Sequence, residues 1–195
     1  VKSSNGVSHK SKSVKINFKT VPLQNPFVKE RLVSKPFASF ESAKKESLKL
    51  EKIGYKPLIA FPESWEIWLP NDSELIDLKN FKLKKVLVQT EIVPYLTNEY
   101  TLQKLMGPIS ISSKEDIEIN GINHGKSFYL VKDSYGSWTL IQKISFEKYL
   151  NGVLPHEMGK NSPLEALKAQ AVIARTWALY NSDRFKIDKY HLCIT

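Results

Sequence analysis

The chain has 195 residues, 42% of them hydrophobic, 25% charged and 11% aromatic. That length buries a real core, and that composition excludes a collagenous, wholly disordered or disulfide-scaffold chain. The formal net charge is +9, and residues 1–35 carry +7 of it: Lys2, Lys10, Lys12, Lys15, Lys19, Lys29, Arg31 and Lys35 against Glu30 alone. A basic arm of this kind suits nucleic acid, anionic lipid or an anionic wall polymer. It lacks the interleaved aromatics that stack bases, so nucleic acid is not expected as a partner, and a solvated leader is the simpler reading. No run of about 18 apolar residues is present, so no segment reads as a membrane-spanning helix, and no signal-peptide pattern opens the chain. The single cysteine, Cys193, permits no internal disulfide.

In chain order, residues 1–13 are rich in Ser and Lys and read as disordered. Val14, Ile16 and Phe18 alternate with polar residues and predict a short strand; Pro22, Pro26 and Pro36 then punctuate a linker. Ser39 caps a predicted helix bearing Phe40, Ala43, Ser47, Leu48 and Leu50, which Gly54 stops in a left-handed conformation. Residues 56–60 and 65–69 read as strands, completing a small αββ module. Its helix, Gly-Tyr, strand and W-x-I-x-L pattern resembles half of a SPOR-like glycan-binding repeat, and an ordinary α+β packing unit fits as well.

Further on, Phe81–Val88 reads as a strand and Asn98–Met106 as a short helix between an Asn cap and Gly107. Ile117 and Ile119 flank the hairpin dipeptide Asn120-Gly121. Phe128–Val131 and Trp138–Ile141 form strands around a turn at Ser134–Ser137. Ser145 caps a short helix that Gly152-Val153-Leu154-Pro155 breaks, leaving His156-Glu157-Met158-Gly159 as a loop. Ser162-Pro163-Leu164-Glu165 then opens a helix to about Asn181 as a capping box with proline at its first position, and its regularly placed alanines admit a close neighbour. The resulting expectation is an α+β fold in three spans: a basic leader at 1–35, a small α+β module with its connection at 36–113, and a catalytic-type segment at 114–195.

Familiar motifs fail on spacing. His156-Glu157 is no zinc-protease motif, because position 160 is Lys. Gly125-Lys126-Ser127 lacks the phosphate-loop glycine at the required distance and precedes a strand, not a helix. His191 and Cys193 supply two metal ligands where a site needs three or four, so no metal and no cofactor are expected. One constellation survives: Glu157 ahead of a strongly specified helix on which Lys168 and Arg175, seven residues apart, share a face. It fits an acid/base beside cations that hold a polymer. By spacing alone, a capping carboxylate and two solvated cations fit first.

Two stretches, Y-L-N-G-V-L-P-H-E-M (Tyr149 to Met158) and E-A-L-K-A-Q-A-V-I-A-R-T-W-A-L (Glu165 to Leu179), together resemble the SpoIID/LytB family, the stage II sporulation protein D and amidase-enhancer group. The segment His156–Cys193 is most similar to members from photosynthetic, non-sporulating bacteria, so sporulation is not implied. The resemblance implies a lytic transglycosylase of the cell envelope that cleaves the β-1,4 bond from N-acetylmuramic acid to N-acetylglucosamine in peptide-free glycan strands. It makes Glu157 the catalytic acid/base and matches Lys168 and Arg175 to functional basic positions. Partners implied are glycan strands and a cell-wall amidase, and the alternative is a non-catalytic glycan-binding or amidase-enhancing wall protein. A glycosidase of the usual kind needs two carboxylates. A lytic enzyme lets the muramic acid C6 hydroxyl attack, so one carboxyl serves first as acid and then as base. A tension accompanies this assignment, since a helix N-terminus and nearby cations favour an ionised Glu157 while a general acid needs its proton, so burial of Glu157 under its loop is expected to dominate. Two departures stand out: Gly159-Lys160-Asn161-Ser162 replaces the Pro and Trp that often follow the family's Glu-Met, and family members run on past the position of Thr195 to a second Cys and further strands. The chain is accordingly expected to be a fragment.

Overall fold

Two long segments that the sequence punctuates with proline pair with each other and organise the N-terminal half. A computed structural model describes residues 1–71, 79–97, 101–159 and 161–193. In chain order its elements are β1 (Lys15–Ser34), α1 (Phe40–Lys52), β2 (Leu58–Ala60), β3 (Glu66–Leu69), β4 (Phe81–Thr97), β5 (Leu102–Lys104), β6 (Ile109–Ser112), β7 (Glu118–Ile119), β8 (Ile122–Asn123), β9 (Ser127–Lys132), β10 (Trp138–Gln142), α2 (Phe146–Met158), α3 (Leu164–Tyr180) and a one-turn 3-10 helix at Lys186–Asp188. The fold is α+β, with all the strand pairing antiparallel. Five strands lie in the order β2-β3-β1-β4-β5, three in the order β10-β9-β6, and β7-β8 form a separate hairpin.

The short strand expected near Ile16 is 20 residues long. Pro22 and Pro26 do not end it, because the register of β1 on β4 shifts between Pro22 and Phe27. Pro26 is among the residues that leave the ladder there and has no hydrogen bond to withhold, while Pro22, opposite Thr90, is the last paired residue before the shift. β1 continues to Ser34 and also takes β3 as a partner at Leu32 and Val33.

The αββ module forms as its local signals predict. The Ser39 hydroxyl accepts from the Ser42 N–H at 3.2 Å and the Ser42 hydroxyl accepts from the Ser39 N–H at 3.2 Å, a reciprocal cap. Gly54 sits at φ +98°, the left-handed stop. Phe40, Ala43, Leu50, Trp65 and Ile67 form its core, and Phe40 and Ile67 are fully buried. The C-terminal segment packs onto this core through Phe185, whose ring lies 5.8 Å from that of Trp65.

A second core joins the two larger sheets through Leu96, Leu105, Ile109 and Leu130. It corrects the expectation for residues 1–13. Lys2 exchanges two backbone hydrogen bonds with Ser110, each 2.8 Å, Ser4 donates to the Met106 carbonyl at 3.0 Å, and Val1 and Val7 pack against the core. Two apolar side chains and an open strand edge are enough to order the start of this arm. The expected helix at Asn98–Met106 is also corrected. Leu102–Lys104 is a strand paired with Tyr95–Thr97, so a ladder partner overrides local helix propensity; Asn98 itself lies outside the described residues.

The meander matches its reading. Asn120 and Gly121 both take positive φ, 53° and 80°, as a two-residue hairpin turn requires. β9 and β10 pair from Lys132–Trp138 to Phe128–Gln142. Their turn is fixed by the buried Asp188, which accepts from the Ser134 N–H at 3.1 Å, while the Ser134 hydroxyl donates to the Ile187 carbonyl at 2.8 Å. Among the described residues no helix is long and apolar enough to cross a membrane.

Candidate functional site

Ser145 begins α2 as expected, accepting from the Lys148 N–H at 3.2 Å. The helix then runs through Gly152 and Pro155 to Met158, which corrects the reading of a break and a loop. Proline this close to a helix end removes only one intrahelical donor, and the space beside Gly152 is open. Glu157 therefore sits in the last turn of α2, and Gly159, at φ +79°, closes the helix by donating to the Pro155 carbonyl at 3.1 Å.

The capping box expected at Ser162 is also corrected. Pro163 occupies the cap of α3 with no side-chain hydrogen bond, and the Ser162 hydroxyl donates instead to the Met158 carbonyl. This bond satisfies an orphan carbonyl at the end of α2 and clamps the turn between the helices. α3 then packs on α2, and its buried residues are Ala174 and Ala178, two of the regularly placed alanines.

Helical geometry of about 100° per residue puts Glu157 roughly 20° from Leu150, the one buried residue of α2. The Glu157 side chain thus belongs to the face turned toward α3 but emerges at its exposed end. There its carboxylate accepts from the Gln170 side-chain amide at 2.5 Å. Half-buried Tyr149 lies near enough to register the same carboxylate: burial raises the phenol above its ordinary pKa, and the Glu157 charge raises it further.

Lys168 and Arg175 share a flank of α3, about 20° apart, whereas Gln170 lies about 160° from Lys168. Lys168 donates to Glu165 at 2.8 Å within its own helix, and Arg175 donates to Glu147 of α2 at 2.7 Å. All four of these side chains are largely exposed. The described contacts therefore bring Glu157 to Gln170, and each cation to a different carboxylate. Among the described residues no cation pairs with Glu157, and its side chain is exposed, which corrects the expectation that burial surrounds it. Sequence reasoning passed over Gln170 and Glu147. The signal for Gln170 was its place on the edge of the alanine face, where a polar side chain meets whatever packs there.

His191 and Cys193 are both exposed. Among the described residues no group of three or more His, Cys, Asp or Glu side chains converges as metal ligands do.

Residues 134–195 match the family model SpoIID, described as Stage II sporulation protein. An uncharacterised protein of Brachyspira hyodysenteriae is 32% identical over 114 residues, covering 52% of this chain and 31% of that protein. The chain thus spans about a third of the length of this relative. No solved structure matches.

Proposed function

We propose, from the match of residues 134–195 to the SpoIID family model, a family related to the cell wall, that the protein is a lytic transglycosylase of peptidoglycan with Glu157 as its single acid/base. The observation that carries the proposal is the placement of Glu157: an exposed carboxyl at the end of the α2–α3 seam, held by the neutral amide of Gln170. An amide fixes the carboxyl's orientation without forming an ion pair. Glu157 as the acid protonates the glycosidic oxygen as the bond to N-acetylglucosamine breaks. As the base it then takes the proton from the muramic acid C6 hydroxyl, whose oxygen closes onto C1 to give the 1,6-anhydro product. No second carboxylate is required, because no water is activated.

Lys168 and Arg175 form a cationic stripe on the flank of α3 turned away from Gln170 and Glu157, so they are proposed to hold the strand away from the bond that Glu157 cleaves and not at that bond. Their present partners are surface carboxylates, and pairs of this kind are worth about 0.2–1 kcal/mol, so substrate can displace them. The proposed location is outside the cytoplasmic membrane, where the polymer is.

Incubation of the longer protein with peptide-free glycan strands, followed by muropeptide analysis, tests the proposal. Anhydro-muramic acid ends support it. Absence of product together with stimulation of a cell-wall amidase would replace it with the enhancer reading.

A further inference from the structure

The second core carries a cavity remote in sequence from α2 and α3. It has a volume of about 470 Å³ and opens where β4 and β5 meet β9 and β10. That volume lies within the range of small-molecule sites, roughly 300–1,000 Å³. One wall is the ring of Trp138, held from two directions. Its indole N–H donates to the Ile92 carbonyl at 2.8 Å, and its six-membered ring lies so close to Gly107 that a Cβ there would stand 2.6 Å from it. Pro94 and Val131 continue the apolar lining.

The rim is cationic. Lys104, Lys132 and Lys189 line the cavity, and Glu91 is the only acid lining it among the described residues. The lysines are loosely engaged: Lys104 and Lys132 stand 3.9 and 3.4 Å from Glu91, and Lys189 reaches the Lys132 carbonyl at 3.5 Å. Lys29 and Arg31 add to the positive field beside Lys132. A flat, immobilised aromatic wall suits the C–H face of a sugar ring. Loosely held ammonium groups suit an acid substituent, and one carboxylate suits a sugar hydroxyl.

We infer that this cavity binds a sugar bearing a carboxylate, as a recognition site separate from the α2–α3 seam. The choice of N-acetylmuramic acid as probe rests on the cell-wall reading above, but binding is read without turnover and so stands apart from the chemistry of Glu157.

The experiment titrates the chain with N-acetylmuramic acid by calorimetry and by NMR of the Trp138 indole and Gly107 amide. N-acetylglucosamine, lactate and inorganic phosphate serve as comparison ligands. Expected are shifts at Trp138 and Gly107 with N-acetylmuramic acid at millimolar concentration, weaker binding at high salt, and weaker binding of each comparison ligand. The exposed pair Lys104→Gln with Lys132→Gln should raise the Kd about fivefold or more, equivalent to roughly 1 kcal/mol. Equal binding of N-acetylglucosamine would overturn the acid requirement, and equal binding of lactate or phosphate would overturn the sugar. No shift at Trp138 and Gly107, or an unchanged Kd in the lysine variant, would overturn the site.

Discussion

The αββ module and the α2–α3 hairpin bury their apolar residues very differently. In the module Phe40, Ile67, Leu69 and Ala60 are at most 1% exposed, and four aromatic rings, from Phe40, Phe61, Trp65 and Phe185, meet around one point. In the hairpin only Leu150, Ala174 and Ala178 are buried, while Val172, Ile173, Leu179 and Tyr180 are 60–62% exposed. The family match falls on the sparsely packed region. The module is therefore held by a dense aromatic core to which Phe185 of the C-terminal segment contributes, and the hairpin buries few side chains and has polar ties at its edges.

Point substitutions test that contrast directly. Phe40→Ala should cost about 3–5 kcal/mol by denaturant unfolding, because it opens a cavity beneath Trp65. Leu179→Ala, changing a residue that is 62% exposed, should stay within about 0.5 kcal/mol. Similar costs at the two positions would remove the distinction between the regions.

The caps differ in the same sense. Ser39→Ala loses the half of the reciprocal cap made by its hydroxyl, while the Ser39 N–H still donates to Ser42, and should cost about 1 kcal/mol. At the edge of the seam, Lys168→Ala and Arg175→Ala each break one exposed ion pair and should cost less than about 1 kcal/mol. A loss of turnover far beyond that stability loss would identify them as substrate contacts; turnover that merely follows stability would leave them as surface charges.

Alkaline titration should give the smallest effect. Tyr135, Tyr149 and Tyr190 all have phenol pKa values raised in the fold, chiefly by burial. A group that holds its proton more tightly when folded contributes stability below its unfolded pKa, near 10, and loses it as pH rises toward the folded value. Stability should thus be flat to about pH 9 and decline above 10. Tyr135→Phe should flatten the decline by removing one of the three phenols.

Local signals in this chain were legible and distant pairing was not. Ser39, Gly54, Asn120-Gly121 and Ser145 each state their own turn or cap, and the structure uses all four as read. The length of β1 depends on residues 81–97, which pair with it from 47 to 82 positions along the chain, and the prolines at 22 and 26 concealed it. Order at Val1 and Val7 likewise depends on Met106 and Ser110. Around the candidate site, the helical period foretold that Lys168 and Arg175 share a flank of α3, but not that this flank lies away from Gln170 and Glu157. The end of α2 was not legible, since Gly152 and Pro155 look like a break, yet the helix runs through both to Met158. The Glu157–Gln170 contact needs the hairpin's packing to be seen.

The central claim is that one carboxyl at the end of the seam performs both proton transfers. Glu157→Gln in the longer protein tests it most directly, because the amide keeps the side chain's shape and a polar atom for Gln170. The account predicts that this variant binds peptide-free glycan as the parent does and releases no anhydro-muropeptides. Undiminished product from Glu157→Gln would contradict it.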